Sequence, residues 1–177
     1  MLKKIIQKKT NEFLADLKIN KPKKVEPTKV EYYHGVEGLK KIYQKTLNAN
    51  KPIYAISAVI PEIDKEFYHW AEEYYIPERT KKKIFAKVIA PANYFSSDYA
   101  QQDQKYYRKT LLIPQDKFPI SIEINIFGNN VALTSFKSNE LLGVLIKSKE
   151  IAQTMKVFFN LAWERGLDYQ EEMKKRF

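Results

Sequence analysis

Two histidines are the only imidazoles in this 177-residue chain, and their placement limits which reactions are open to it. His34 stands just before a glycine, and His69 stands inside a helical pattern beside Trp70. A metal site built on imidazole needs two or three of them converging with carboxylates, and neither HxxxH nor HExxH occurs. Cysteine is absent, which removes disulfides, thiolate nucleophiles and sulfur-ligated zinc. No serine sits in a GxSxG elbow. The five glycines form neither GxGxxG nor GxxxxGK[ST], so the usual backbone cradles for dinucleotides and nucleoside triphosphates are missing. These absences predict a chain without enzymatic activity, metal or cofactor.

What remains is a set of polar residues placed for recognition. Ser57 closes the apolar run PIYAIS (52–57), and the carboxyl end of a buried strand is where α/β sheets collect ligand contacts. The same serine could simply open the turn SAVIP. In ISIEINIF (120–127) the isoleucines alternate with Ser121, Glu123 and Asn125, which puts the three polar residues on one strand face. Beneath a covering helix that face becomes a pocket floor, and the Glu123 carboxylate then needs a partner such as Arg108 or Arg79. Facing water it is ordinary surface. With Arg108, and with Ser135 on the strand ending TSF, these residues make the candidate ligand-binding set.

The elements that must hold them follow from periodicity. Val30 to Tyr33 reads as a short strand, and Val36, Leu39, Ile42, Tyr43 and Leu47 give helical spacing up to NANKP. PIYAIS is apolar on both faces, as a central strand covered by helices on each side would be. Ile63, Phe67, Trp70, Ala71 and Tyr74 form a second helical stripe that Pro61 can open. IFAKVIA (84–90) is a third strand ended by Pro91. Residues 92–105 form a loop or short helix, followed by the strands TLLI, ISIEINIF, VALTSF and LLGVLIK, with GNN (128–130) as a hairpin turn. A long helix closes the chain, with Ile151, Met155, Phe158, Phe159 and Ala162 on its core face and Trp163 beside them. The expected fold class is α/β, with a mixed, partly parallel sheet flanked by helices and an amino-terminal amphipathic helix.

The net charge of +10 is unevenly placed. Residues 1–29 carry nine lysines and three acids, about +6, and residues 30–177 carry 22 bases and 18 acids, about +4. Leu2, Ile5, Ile6, Phe13, Leu14 and Leu17 fall on one face of a helix of about 19 residues. The lysine- and proline-bearing stretch INKPKKVEPTK after it reads as a linker. Residues 1–29 are thus an amphipathic helix and basic linker, and 30–177 a single domain. The helix must bury its stripe on its own domain or on a second copy, and the basic arm can be drawn to phosphate backbones without sequence preference. No apolar run reaches the roughly 20 residues that span a bilayer. The opening MLKKIIQKK lacks the apolar stretch of a secretory signal, so a cytoplasmic protein is expected.

Several phrases in order resemble the carboxyl-terminal effector domain of TrmB-like transcriptional regulators, which has a phospholipase-D-like fold. They are YYHGVEGLKKIYQKTL (32–47), PIYAIS, RTKKKIFAKVIAP (79–91), YYRKTLLIP (106–114) and the run from FPISIEINIF to FFNLAW (118–163). The likeness covers about residues 30–165. Catalytic members of the phospholipase D superfamily use paired HxKxxxxD motifs with a histidine nucleophile. Here the corresponding stretch, Ser121 to Asn129, offers Ile122 and Ile124, or Ser121 and Glu123 in the neighbouring register. The resemblance therefore implies a catalytically inactive sensor that binds a small-molecule effector, such as a sugar, and forms a homodimer. The regulators' winged helix is missing, and only something like the helix joining it to the effector domain is present; DNA contact would need a missing or separate winged-helix domain. The other readings are a phosphodiesterase or nuclease of that superfamily, and nucleic-acid binding through the basic arm.

Overall fold

The computed structural model describes residues 27–58, 63–137 and 139–174. The expected amino-terminal helix lies outside them. Strand β1 (Lys29–His34) leads into helix α1 (Gly35–Ala49), and β2 (Ile53–Ile56) follows. Helix α2 (Lys65–Trp70) runs through a π-helical turn (Ala71–Tyr75) into α3 (Ile76–Lys81). Then come β3 (Ala86–Ala92), α4 (Tyr94–Gln101), β4 (Arg108–Pro114), β5 (Glu123–Phe127), β6 (Asn130–Ser135), β7 (Leu142–Lys147) and the long α5 (Lys149–Lys174). The strands form one sheet in the order β1-β7-β6-β5-β2-β3-β4. β2, β3 and β4 are mutually parallel, joined by helical crossovers. The other neighbouring pairs are antiparallel.

Helices cover both faces, as the two-sided apolar character of PIYAIS requires. Ile53 and Ala55 of β2 join a core with Leu39, Ile42, Tyr43, Phe67 and Tyr75, beneath α1 and the α2–α3 stretch. Tyr54 and Ile56, on the opposite side, pack with Ile126, Leu111, Phe159 and Trp163 beneath α5. The isoleucine alternation in β5 behaves as expected. Ile124 and Ile126 face α5, while Asn125 and Glu123 face the other layer.

Five local expectations are corrected. The strand ISIEINIF is ordered as a strand only from Glu123, because β2 ends at Ile56 opposite Ile124 and offers no ladder partner on that side to residues 120–122. Pro91 does not end β3; the strand runs through it to Ala92, and its carbonyl accepts a hydrogen bond from Ser96 Oγ at 2.6 Å. In the α2–α3 stretch the π-helical turn inserts one extra residue. The buried tyrosine is therefore Tyr75, and Tyr74 is turned out to solvent. That helix starts at Lys65 with Asp64 as its cap, the carboxylate accepting from Phe67 N at 3.0 Å. In α5 the buried face is Ala152, Phe159, Trp163 and Gly166, whereas Ile151 and Phe158 are exposed. Gly166 explains the rotation. A Cβ there would stand 2.6 Å from Leu111 Cδ2, so this is where the helix backbone closes onto β4.

Candidate functional site: an aromatic cavity over the carboxyl ends of the parallel strands

Strand pairing brings the first two candidate residues together. Ala55 pairs with Asn125 and Ile56 with Ile124, so the next position places Ser57 beside Glu123. Ser57 Oγ donates to Glu123 Oε2 at 2.6 Å. Asn125, two residues along β5 and therefore on the same face, donates from Nδ2 to Glu123 Oε1 at 2.6 Å. The third donor comes from the covering layer, where the Tyr43 hydroxyl of α1 reaches the same Oε1. Tyr43 is held edge-on by Phe67, with ring centroids 5.0 Å apart, and by Tyr75, 4.8 Å apart. Burial, together with the neighbouring Glu123 carboxylate, pushes the Tyr43 hydroxyl well above its ordinary pKa. Burial likewise raises Tyr75, whose hydroxyl lies 2.9 Å from Thr46 Oγ1.

This floor belongs to a cavity of about 570 Å³ lined by β2, β3, β5, the α2–α3 stretch and α4. Aromatic residues supply much of its wall, among them Phe67, Tyr75, Tyr99 and Tyr106. Two buried arginines stand in the same wall. Arg79 is 2% exposed and donates from Nη1 to the Ile84 carbonyl at 2.7 Å and from Nη2 to the Tyr106 carbonyl at 2.6 Å. Desolvation lowers its pKa. Arg108 stacks on the Tyr99 ring, 3.1 Å from its centroid, and pairs through Nε with Asp103 Oδ1 at 2.8 Å. Its Nη2 donates to the Tyr99 carbonyl. Its Nη1 is buried and has no hydrogen-bond partner among the described residues. Asp103 also accepts from Thr110 N at 2.5 Å and Thr110 Oγ1 at 2.8 Å, which fixes the carboxylate that orients Arg108.

Of the six candidate residues, the fold gathers Ser57, Arg108, Glu123 and Asn125 around this cavity and leaves two elsewhere. Ser121 is exposed, ahead of β5, and Ser135 ends β6 opposite Leu142. The expected pairing of Glu123 with an arginine is also corrected. Its partners are a tyrosine, a serine and an asparagine, while Arg108 takes Asp103 and Arg79 takes main-chain carbonyls. Tyr43, Tyr99 and Asp103 were not singled out by sequence. A tyrosine in an apolar helix stripe was the available signal for Tyr43, whereas Asp103 lay in a stretch without a period.

The histidines do not line the cavity. His34 precedes α1 and makes no side-chain cap, and His69 is an exposed helix residue 3.2 Å from Glu73 Oε1. Among the described residues no group of three or more histidines and carboxylates is arranged to hold a metal ion, and no helix is long and apolar enough to cross a membrane.

Neither a protein-family model nor a curated protein matches this sequence. Among the solved structures similar in fold are the following two. One is TrmBL2, described as an archaeal chromatin protein that shows a novel mode of DNA binding, at a TM-score of 0.53 and 16% identity over 93% of this chain. This chain spans 61% of TrmBL2. The other is NucT from Helicobacter pylori, at a TM-score of 0.54 and 11% identity, covering 81% of this chain and 98% of that one. The fold is shared with both. At such identities the likeness is one of fold alone, and the mixed sheet flanked by helices is the one expected from sequence. The expectation of a chain without enzymatic activity does not stand: the fold is shared with NucT as readily as with the chromatin protein TrmBL2, and a fold by itself does not decide between an enzyme and a binding protein.

Proposed function

We propose that this chain is a small-molecule-binding domain of the kind TrmB-like regulators use to sense an effector. The observation that carries the reading is the 570 Å³ cavity with Ser57, Glu123, Asn125 and Arg108 converging on it. Volumes of this size, apolar walls and a few convergent polar groups are the general features of small-ligand sites. The position also agrees with the rule that open α/β sheets bind ligands beyond the carboxyl ends of their parallel strands. A sugar would place its hydroxyls near the free lone pair of Glu123 Oε2 and its C–H faces on the tyrosines. The test is thermal melting against a panel of sugars and other metabolites, because a ligand selective for the native state raises the melting temperature by mass action. A panel that leaves the melting temperature unmoved counts decisively against the reading.

The homodimer belongs to the same proposal, supported by the outer face of α5. Val157, Phe158 and Leu161 are 56%, 57% and 58% exposed, a patch that a second copy would cover. A second reading, contact with DNA, is favoured by the concentration of positive charge in residues 1–29. It predicts affinity that falls steeply with salt and disappears when those residues are deleted. TrmBL2 makes nucleic acid a natural partner to assay.

A further inference from the structure

The cavity carries an asymmetry that bears on what it accepts. At its floor, Glu123 is engaged by three neutral donors, so its charge is solvated by the protein without a cation. Two guanidiniums stand at the wall, and of these only Arg108 is paired with a carboxylate among the described residues, that of Asp103. Arg79 has only carbonyl partners, and the two guanidiniums repel one another. One positive charge at that wall is therefore without a close counter-charge among the described residues. Buried cations of this kind are costly until an anion pairs with them. The wall residue Arg108 also has a buried amino group, Nη1, without an acceptor among the described residues. A buried N–H group without an acceptor calls for an explanation, and a partner from outside the chain is one of them.

We propose that the ligand is a small organic carboxylate with an apolar or aromatic body, its carboxylate held at Arg108 Nη1 and its body lying between Phe67, Tyr75 and Tyr106. This rests on the small-molecule reading of the same cavity, and it narrows that reading from sugars to acids. Tyr99 positions the guanidinium, since its ring backs the plane at 3.1 Å and its carbonyl takes Nη2. Asp103 holds Nε, so the edge bearing Nη1 is the one left for a ligand. Glu72 and Asp98, also in the lining, are negative. They lie nearer solvent than Arg108, where screening weakens their repulsion of an incoming anion.

The test compares isosteres on the wild-type chain by calorimetry and by arginine side-chain NMR: 3-phenylpropionate, its neutral amide 3-phenylpropionamide, and glucose. The expected result is that the carboxylate binds at least tenfold more tightly than the amide and moves an arginine Nη resonance. Arg108→Lys should abolish that preference. The same variant's melting curve without ligand reports whether it folds, and the wild-type comparison stands if it does not. Equal binding of acid and amide overturns the carboxylate assignment, as does binding of glucose alone, and both leave the cavity as a ligand site. Absence of binding in every arm overturns the carboxylate assignment. Only when joined by an unmoved melting temperature across the wider panel does it remove the small-molecule reading as well.

Discussion

Ser57 Oγ donates to Glu123 Oε2 at 2.6 Å because β2 and β5 pair in a register that places residue 57 opposite residue 123. With Asn125 and Tyr43 on the other oxygen, one carboxylate ties two strands of the sheet to the helix above them. Glu123→Gln removes this symmetry, since a carboxamide has one acceptor oxygen and turns an amino group toward at least one donor. Hydrogen bonds to a charged group contribute roughly 1.5–3 kcal/mol, so the variant should lose about 2 kcal/mol. Urea unfolding reads the loss directly. Wild-type stability in Glu123→Gln would mean that the three donors are satisfied elsewhere.

Alkaline pH should unfold the protein through its tyrosines. Burial raises Tyr43, Tyr75 and Tyr99 above their ordinary pKa, and burial followed by the bond to Glu31 raises Tyr33 to about 12. The folded values are raised, so the unfolded chain sheds these protons near pH 10 while the native state keeps them. Stability is therefore intact below pH 10 and falls above it, by about 1.4 kcal/mol per pH unit for each such group. In a titration followed at the tyrosinate absorbance, these groups should ionise together with loss of the near-ultraviolet circular dichroism. Smooth titration of all 12 tyrosines near pH 10 with the fold intact would contradict this.

Acid should loosen the edge strand β1. Glu31 accepts from Lys147 of β7 and from the Tyr33 hydroxyl at 2.5 Å, and Lys45 lies 3.4 Å away. The bond to Lys147, then the one to Tyr33, hold its carboxyl at about 2 against an ordinary 4.5. Because the folded value is depressed, this stabilisation is present above pH 4.5 and is lost as the pH falls toward 2. The side chain is 32% exposed, and partly exposed pairs contribute below about 1 kcal/mol. Glu31→Gln should thus be slightly less stable than wild type at pH 7, equal to it near pH 2, and less different in 1 M salt. Paired melts at the two pH values check all three.

Much of the fold was legible because it follows from alternation. The isoleucines at 124 and 126 and the two-sided run 52–57 have one physical reading each, and both strands are found where that reading puts them. The closing helix shows the limit. A stripe counted from large apolar residues favoured Ile151 and Phe158, but the sheet selects the face that carries Gly166, since only a missing Cβ permits the close approach to Leu111. The π-helical turn is similar. Its extra residue exchanges Tyr74 for Tyr75 at the cavity, and no spacing rule marks where such a turn falls. At the site, the strand residues Ser57, Glu123 and Asn125 were readable from period. The Arg108–Asp103 pair was not, because Asp103 enters through a turn beyond α4.

Gly166→Ala separates two opposing effects in α5. Alanine inside a helix is favoured over glycine by about 1 kcal/mol, so an exposed site would be stabilised. Here the new methyl group would stand 2.6 Å from Leu111 Cδ2 and 3.0 Å from Ile113 Cδ1. Both residues are almost completely buried, at 1% and 2% exposure, so neither side chain has free space to turn into. Overpacking of a dense core costs roughly 1–3 kcal/mol, and the net effect should be a loss of about 1 kcal/mol. Gly166→Ser, with a larger side chain and poorer helix propensity, should lose more. Urea midpoints for the two variants give the order. A Gly166→Ala variant more stable than wild type would show that α5 can lift from β4 without cost.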